Sequence, residues 1–170
     1  MPSTTPQEFR RAAGFLAAGI TVVTTRLGEV DHAMTASSFT TVSLEPPLVL
    51  VCAERETRFL DAVLTCGQWA ASVLDATSQD AAVWFATKGR RLEGQLDTVA
   101  HTRGPLTGAA VLSSALSVFE CSTVATYDGG DHVIVVGRVL GVDVPAVEEA
   151  DRTGPLVHFR GRYTTVSRSH

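Results

Sequence analysis

Hydrophobic and polar positions change period several times along this chain, and each change marks an element. Thr5-Pro6-Gln7-Glu8 has the form of a helix start, with Thr5 as N-cap, proline in the first turn and Glu8 closing a capping box. Phe9, Ala13, Leu16 and Ala17 share one helical face, and Gly19 is the expected stop. From Ile20 to Thr25 every residue is β-branched, Leu27-Gly28-Glu29 supplies a turn, and a long strand is expected from His32 to Ser43. Pro46-Pro47 interrupts the ladder. The apolar run Leu48 to Cys52 then reads as a strand buried on both faces at the centre of the sheet.

Helical spacing returns from Thr57 to Leu64 and from Ser78 to Thr87, and between them Gln68 to Leu74 alternates as a strand. Gly89 to Gly108 is polar and irregular, the pattern of a surface loop. Ala115 to Tyr127 and His132 to Val144 are long β-branched runs around Asp128-Gly129-Gly130-Asp131, so a hairpin is expected there. Pro155 to Val166 adds a final strand. Six or seven mostly antiparallel strands with few helices favour a mainly β barrel over a layered α/β sheet.

Composition narrows the function. The 170 residues, 45% of them hydrophobic and 19% charged, suit one domain spanning 1–170. No apolar run reaches the length of a membrane span, and the first residues lack the basic-then-apolar order of a secretion signal, so a cytoplasmic address without membrane contact is expected. The formal charge of -4 and the scattered arginines argue against a nucleic-acid partner. Cys52, Cys66 and Cys121 lack metal or redox spacing and read as thiols in a reducing compartment.

Several chemistries lose support for want of a motif. There is no G-x-G-x-x-G, no Walker loop, no G-x-S-x-G, no H-x-x-x-H pair and no carboxylate cluster with ligand spacing. No metal site and no acid-base triad are expected.

Four stretches carry a positive signal. Ala33-Met34-Thr35-Ala36-Ser37-Ser38-Phe39-Thr40-Thr41-Val42-Ser43 sets small hydroxyl residues along a strand, where a flat aromatic ring could approach the main chain. A Ser/Thr-rich edge strand facing water accounts for the same composition equally well. In Cys52-Ala53-Glu54-Arg55-Glu56-Thr57-Arg58 a strand empties into two arginines before a helix start, a phosphate-binding arrangement, although Glu54 and Glu56 could simply neutralise those arginines. Gly130-Asp131-His132 places a histidine at a hairpin mouth. His158-Phe159-Arg160-Gly161-Arg162-Tyr163 combines aromatic and cationic residues suited to a dinucleotide, though ordinary strand-surface positions look alike.

In this order, these segments resemble the short-chain flavin reductase family, the reductase components of two-component flavin-dependent monooxygenases. The resemblance spans nearly the whole chain. Its landmarks are Phe9-Arg10, Gly19 to Thr25, Met34 to Ser38, Ser43 to Val49, Gly129 to His132, Gly137-Arg138-Val139, and Pro155-Leu156-Val157 through Arg160-Gly161 to Tyr163. It implies a split-barrel flavin-binding fold, a homodimer, and hydride transfer from NADH or NADPH to FAD or FMN, with diffusible reduced flavin passing to a monooxygenase. It further implies that Met34, Thr35, Ala36, Ser37, Ser38, Thr40 and Thr41 line the isoalloxazine and ribityl chain. Cys52, Ala53, Arg55, Thr57 and Arg58 would approach the flavin phosphate, and Phe85 and Lys88, matching the family's F-x-x-K, would close the site. His132 with His158, Phe159, Arg160, Gly161 and Tyr163 would face the nicotinamide nucleotide, with His158 standing where an aromatic residue often precedes Phe-Arg-Gly. Rival readings are a non-catalytic split-barrel flavin- or haem-binding protein, with His132 or His158 as axial ligand, an oxidase of the pyridoxamine-phosphate type, and a purely structural β-domain.

Overall fold

A computed structural model describes residues 4–144 and 153–166. Helix α1 (Pro6–Ala13) begins as its residues dictate: Thr5 Oγ1 accepts from the Glu8 amide at 3.2 Å, while the Glu8 carboxylate accepts from the Thr5 amide at 2.8 Å. It ends earlier than expected. Gly14 is the C-cap, and Gly19 instead lies in the short strand β1 (Ala18–Gly19). None of the α1 side chains is buried, so its apolar residues face away from this chain's core.

Seven antiparallel strands form the main sheet: β2 (Thr21–Leu27), β3 (Val30–Ala36), β4 (Thr40–Leu44), β5 (Pro47–Glu54), β6 (Gln68–Leu74), β9 (Ala115–Gly129) and β10 (His132–Asp143). Their spatial order is β3-β2-β6-β9-β10-β5-β4. The expected long strand from His32 to Ser43 is two strands, parted at Ser37 to Phe39. Leu48 to Cys52 is not the sheet's centre either. β5 lies next to the edge, and only Val49, Val51 and Ala53 point inward, with Leu48, Leu50 and Cys52 half-buried on the other face. The strands with unbroken runs of four or more buried residues are β2 and β6, because both faces of each are covered.

Two cores explain this. On one face Val23, Ala36, Val49, Val51, Ala53, Trp69, Ala71, Cys121 and Val135 converge from six strands on one interior, which curls the sheet around them. Helix α2 (Arg58–Cys66) plugs it with Phe59, Leu60 and Val63; its stop is Gly67, whose φ of 73° is the left-handed conformation glycine tolerates. On the other face, Ile20, Val22 and Leu74 pack with Ala82 and Phe85 of α3 (Gln79–Ala86), Leu96, and Leu112 of β8 (Ala110–Leu112). β8 pairs with β7 (His101–Arg103). Both strands lie within or beside the stretch read as a surface loop, in which Gln95 and Leu96 are buried.

The hairpin of β9 and β10 turns at Gly130-Asp131 as expected, with Gly130 at φ 79°. The chain from Pro155 to Val166 is a second hairpin, β11 (Leu156–Phe159) and β12 (Arg162–Thr165), rather than one strand. Arg160 and Gly161 both take positive φ, 51° and 76°, which is how a two-residue loop follows strand twist. With β1 this hairpin forms a separate three-stranded sheet.

Candidate functional site

A groove of about 390 Å³ opens beside β3, between the start of α2 and the end of α3. β3 is an edge strand, so alternate residues turn their amide and carbonyl away from the sheet. The Asp31 and Ala33 carbonyls take side-chain hydrogen bonds from Gln95 and Arg90, which puts the odd-numbered residues on the open edge. Thr35 continues that row into the groove. Its hydroxyl is turned aside, donating to the Ala82 carbonyl at 2.7 Å.

Beyond β3, Ser38 bridges to β5. The Cys52 amide donates to Ser38 Oγ at 3.0 Å, and Ser38 Oγ donates to the Cys52 carbonyl at 3.1 Å. This ties the break after β3 to the strand that leads into α2. At the helix start, Thr57 Oγ1 donates to the Glu54 carbonyl at 2.8 Å, and Arg58 and Phe59, the first residues of α2, line the groove end. Arg58 Nη2 donates to the Arg90 carbonyl at 2.5 Å. A cationic side chain beside a helix start is an arrangement suited to an anion.

The mouth is charged and partly self-paired. Lys88 Nζ lies 2.7 Å from the Glu54 carboxylate, which holds the ammonium pKa above its usual value. His132 Nδ1 is 2.7 Å from the Asp131 carboxylate, and this contact lowers the Asp131 pKa. Deeper in, His32 is 9% exposed and its Nδ1 has no partner among the described residues. Burial first, and the Arg58 charge second, lower its pKa and favour the neutral ring.

The structure brings Met34, Thr35, Ala36, Ser37, Ser38, Cys52, Thr57, Arg58, Phe85, Lys88 and His132 to one groove. Other expected residues are placed elsewhere. Thr40 and Thr41 are exposed on β4 beyond the break. Ala53 is buried in the core, because strand parity sends it opposite Cys52 and Glu54. Arg55 is drawn to the β9–β10 turn, with Nε on the Gly130 carbonyl at 2.7 Å and Nη2 on Asp128 at 2.9 Å. His158, Phe159, Arg160, Gly161 and Tyr163 belong to the small sheet. Arg160 and Gly161 line a separate cleft with Arg10, Arg11 and Phe15, and His158 packs edge-on to Tyr163 at 5.7 Å.

Sequence reasoning missed His32 and Arg90. His32 begins the stretch read as a strand, and only its burial beside Arg58 sets it apart. Arg90 falls in an irregular polar stretch, and its partners are the carbonyls of Ala33, Phe85 and Thr87 with Gln95 Oε1, main-chain acceptors for the most part, so no side-chain pattern marks it.

An antiparallel barrel with an open strand edge, small side chains and a cationic helix start at one end of a groove has the features that suit a flat, anionic ligand. The chain belongs to the flavin reductase family: the model of the "Flavin reductase like domain" matches residues 13–167. It is 40% identical over 164 residues to the NADH-dependent FMN reductase AsuE2 of Streptomyces nodosus subsp. asukaensis, covering 94% of this chain and 84% of the relative. It is 33% identical over 162 residues to the flavin-dependent monooxygenase reductase subunit HsaB of Mycobacterium tuberculosis, covering 95% and 82%. The NADH:FAD oxidoreductase SgcE6 of Streptomyces globisporus, solved with NAD and FAD fragments, superposes with a TM-score of 0.87 at 32% identity, covering 98% of each chain. The fold is thus the flavin reductase split barrel, mainly antiparallel β with short covering helices.

Proposed function

We propose that this chain is an NADH-dependent flavin reductase that reduces FMN or FAD and supplies it to a partner monooxygenase. The observation that carries the reading is the open edge of β3 at Thr35, continuous with Ser37 and Ser38 and ending at the Arg58 anion site. These residues fit a flavin. An isoalloxazine offers carbonyls and ring nitrogens that main-chain groups can match, and its phosphate suits a helix start flanked by arginine.

The flavin when bound supplies the hydride-accepting chemistry, so the protein needs no acid-base triad. The chain's contribution is position and shelter. Thr35 and Ser37 would hold the flavin through their peptide groups, and Ser38 fixes the break after β3 to β5 through Cys52. Phe59, Phe85 and Leu92 line the groove with apolar surface that keeps out water, which strengthens polar contacts inside. Arg58 and the start of α2 would hold the phosphate, and His132, at the mouth, would face the dinucleotide. The groove is open on one side, which would leave access for a second, nicotinamide-bearing ligand beside the flavin.

A homodimer belongs to this reading. Val42, Leu44, Leu140 and Val142 are apolar and exposed on β4 and β10, with Leu44 at 88%, as a surface awaiting a second copy would be. Use of reduced nicotinamide supports a cytoplasmic address. Among the described residues no helix is long and apolar enough to cross a membrane.

The test is steady-state oxidation of NADH and NADPH with FMN, FAD and riboflavin in turn. NADH consumption that depends on added flavin is expected. No consumption with any flavin overturns the proposal.

A further inference from the structure

The outward carbonyls of β3 fall into two groups, and the division is made by a single loop. The Gln95 amide Nε2 donates to the Asp31 carbonyl and Arg90 Nη2 to the Ala33 carbonyl, so side chains from the segment after α3 occupy the places a neighbouring strand would fill. The next outward position, Thr35, faces the groove. We propose that Arg90 is the positioning residue for the flavin: it closes the β3 edge up to Ala33 and so sets the register at which the ring takes over.

The geometry around Arg90 suits that task. Its guanidinium also donates to the Phe85 carbonyl at 2.9 Å and the Thr87 carbonyl at 3.2 Å, and to Gln95 Oε1 at 3.2 Å. It therefore fastens the end of α3 to β3 on the two sides of the groove. The carbon of the guanidinium lies 5.3 Å from the centroid of the Phe85 ring, a further groove wall. Gln95 is fixed in turn, being 2% exposed and accepting at its carbonyl from Trp84 Nε1 at 2.8 Å. Only a planar group with several donors can serve these carbonyls at once, which a lysine cannot reproduce. Without Arg90, the Ala33 carbonyl opens to the groove, and a ring can bond at Ala33 or at Thr35.

The inference rests on the proposed flavin seat, and two measurements separate them. In the wild type, FMN should slow hydrogen exchange at the Thr35 amide, which reads the seat itself. In Arg90→Met, FMN titrated by its fluorescence should bind about tenfold more weakly, with protection at Thr35 reduced and kcat at saturating FMN within about threefold of wild type. Arg90→Lys, a milder change should Arg90→Met not fold, should bind FMN more weakly than wild type but keep measurable protection. Unchanged FMN affinity in these variants, with Thr35 still protected, overturns the role of Arg90 and spares the seat. Absence of protection in the wild type removes the seat, and the role of Arg90 with it.

Discussion

Gly137 on β10 lies flat against the indole of Trp69 on β6: a Cβ built there would stand 2.5 Å from Cζ2 and 3.0 Å from Cε2. Trp69 is fully buried at the middle of the barrel core, beneath Phe39, whose ring meets it edge-on at 6.4 Å. Phe39 sits in the break between β3 and β4, so the glycine sets the depth of a stack that ends beside the groove. Gly137→Ala should therefore lower stability by about 1–3 kcal/mol, the usual range for overpacking a core. Urea unfolding followed by tryptophan fluorescence checks this.

Ser38→Ala removes the bridge to both main-chain groups of Cys52. The loss should be about 1–2 kcal/mol of stability, with a raised KM for flavin because the break after β3 is no longer anchored. Ser38→Thr, which keeps the hydroxyl, should recover most of the stability. Unfolding curves and flavin-dependent NADH oxidation measure the two effects.

Arg58→Met should weaken FMN and FAD by roughly 10- to 100-fold, the worth of one charge-assisted hydrogen bond, and leave riboflavin little changed. Comparing KM for the three flavins distinguishes phosphate binding from a general loosening of α2.

His32 contributes a pH dependence of known sign. Burial, with the Arg58 charge, lowers its pKa in the folded chain below the ordinary 6.5, so the unfolded chain binds the proton more readily. Its contribution is fully present above pH 6.5 and is lost as pH falls from there toward the lowered value, below which both states are protonated. His32→Gln should flatten the stability profile in that window. Urea midpoints across mildly acid to neutral pH, for both proteins, provide the comparison.

Cys121 is fully buried, and burial pushes its thiol up to about 12. The folded protein should leave it unlabelled by thiol reagents at mildly alkaline pH, with labelling only after denaturation. Peptide mass spectrometry identifies the modified position.

The elements legible in the sequence are those fixed by near neighbours. The Thr5–Glu8 capping box, strand β6 and the turn at Gly130 depend on spacing within a few residues, and they lie where the sequence reading puts them. Features decided by partners distant in sequence were not legible. Leu48 to Cys52 is apolar throughout, yet which face is covered depends on the order in which the strands assemble. Within the groove, the hydroxyl-rich stretch and the Thr57-Arg58 helix start were found by residue type. Arg55 and Arg58 look alike in sequence, and only the neighbouring hairpin turn, which captures Arg55, separates them. Arg90 is illegible for a different reason: three of its partners are main-chain carbonyls, which leave no mark on side-chain pattern even where, as with Phe85 and Thr87, they are close in sequence.

The half-open margin of β3 has an evolutionary consequence. In the proposed seat the ligand is held by peptide groups, atoms that every residue carries, so exchanging the surrounding side chains would leave the seat in place. What such a scaffold must preserve is the path of the backbone, and substitutions along the walls remain available for tuning which flavin is favoured and how soon it is let go.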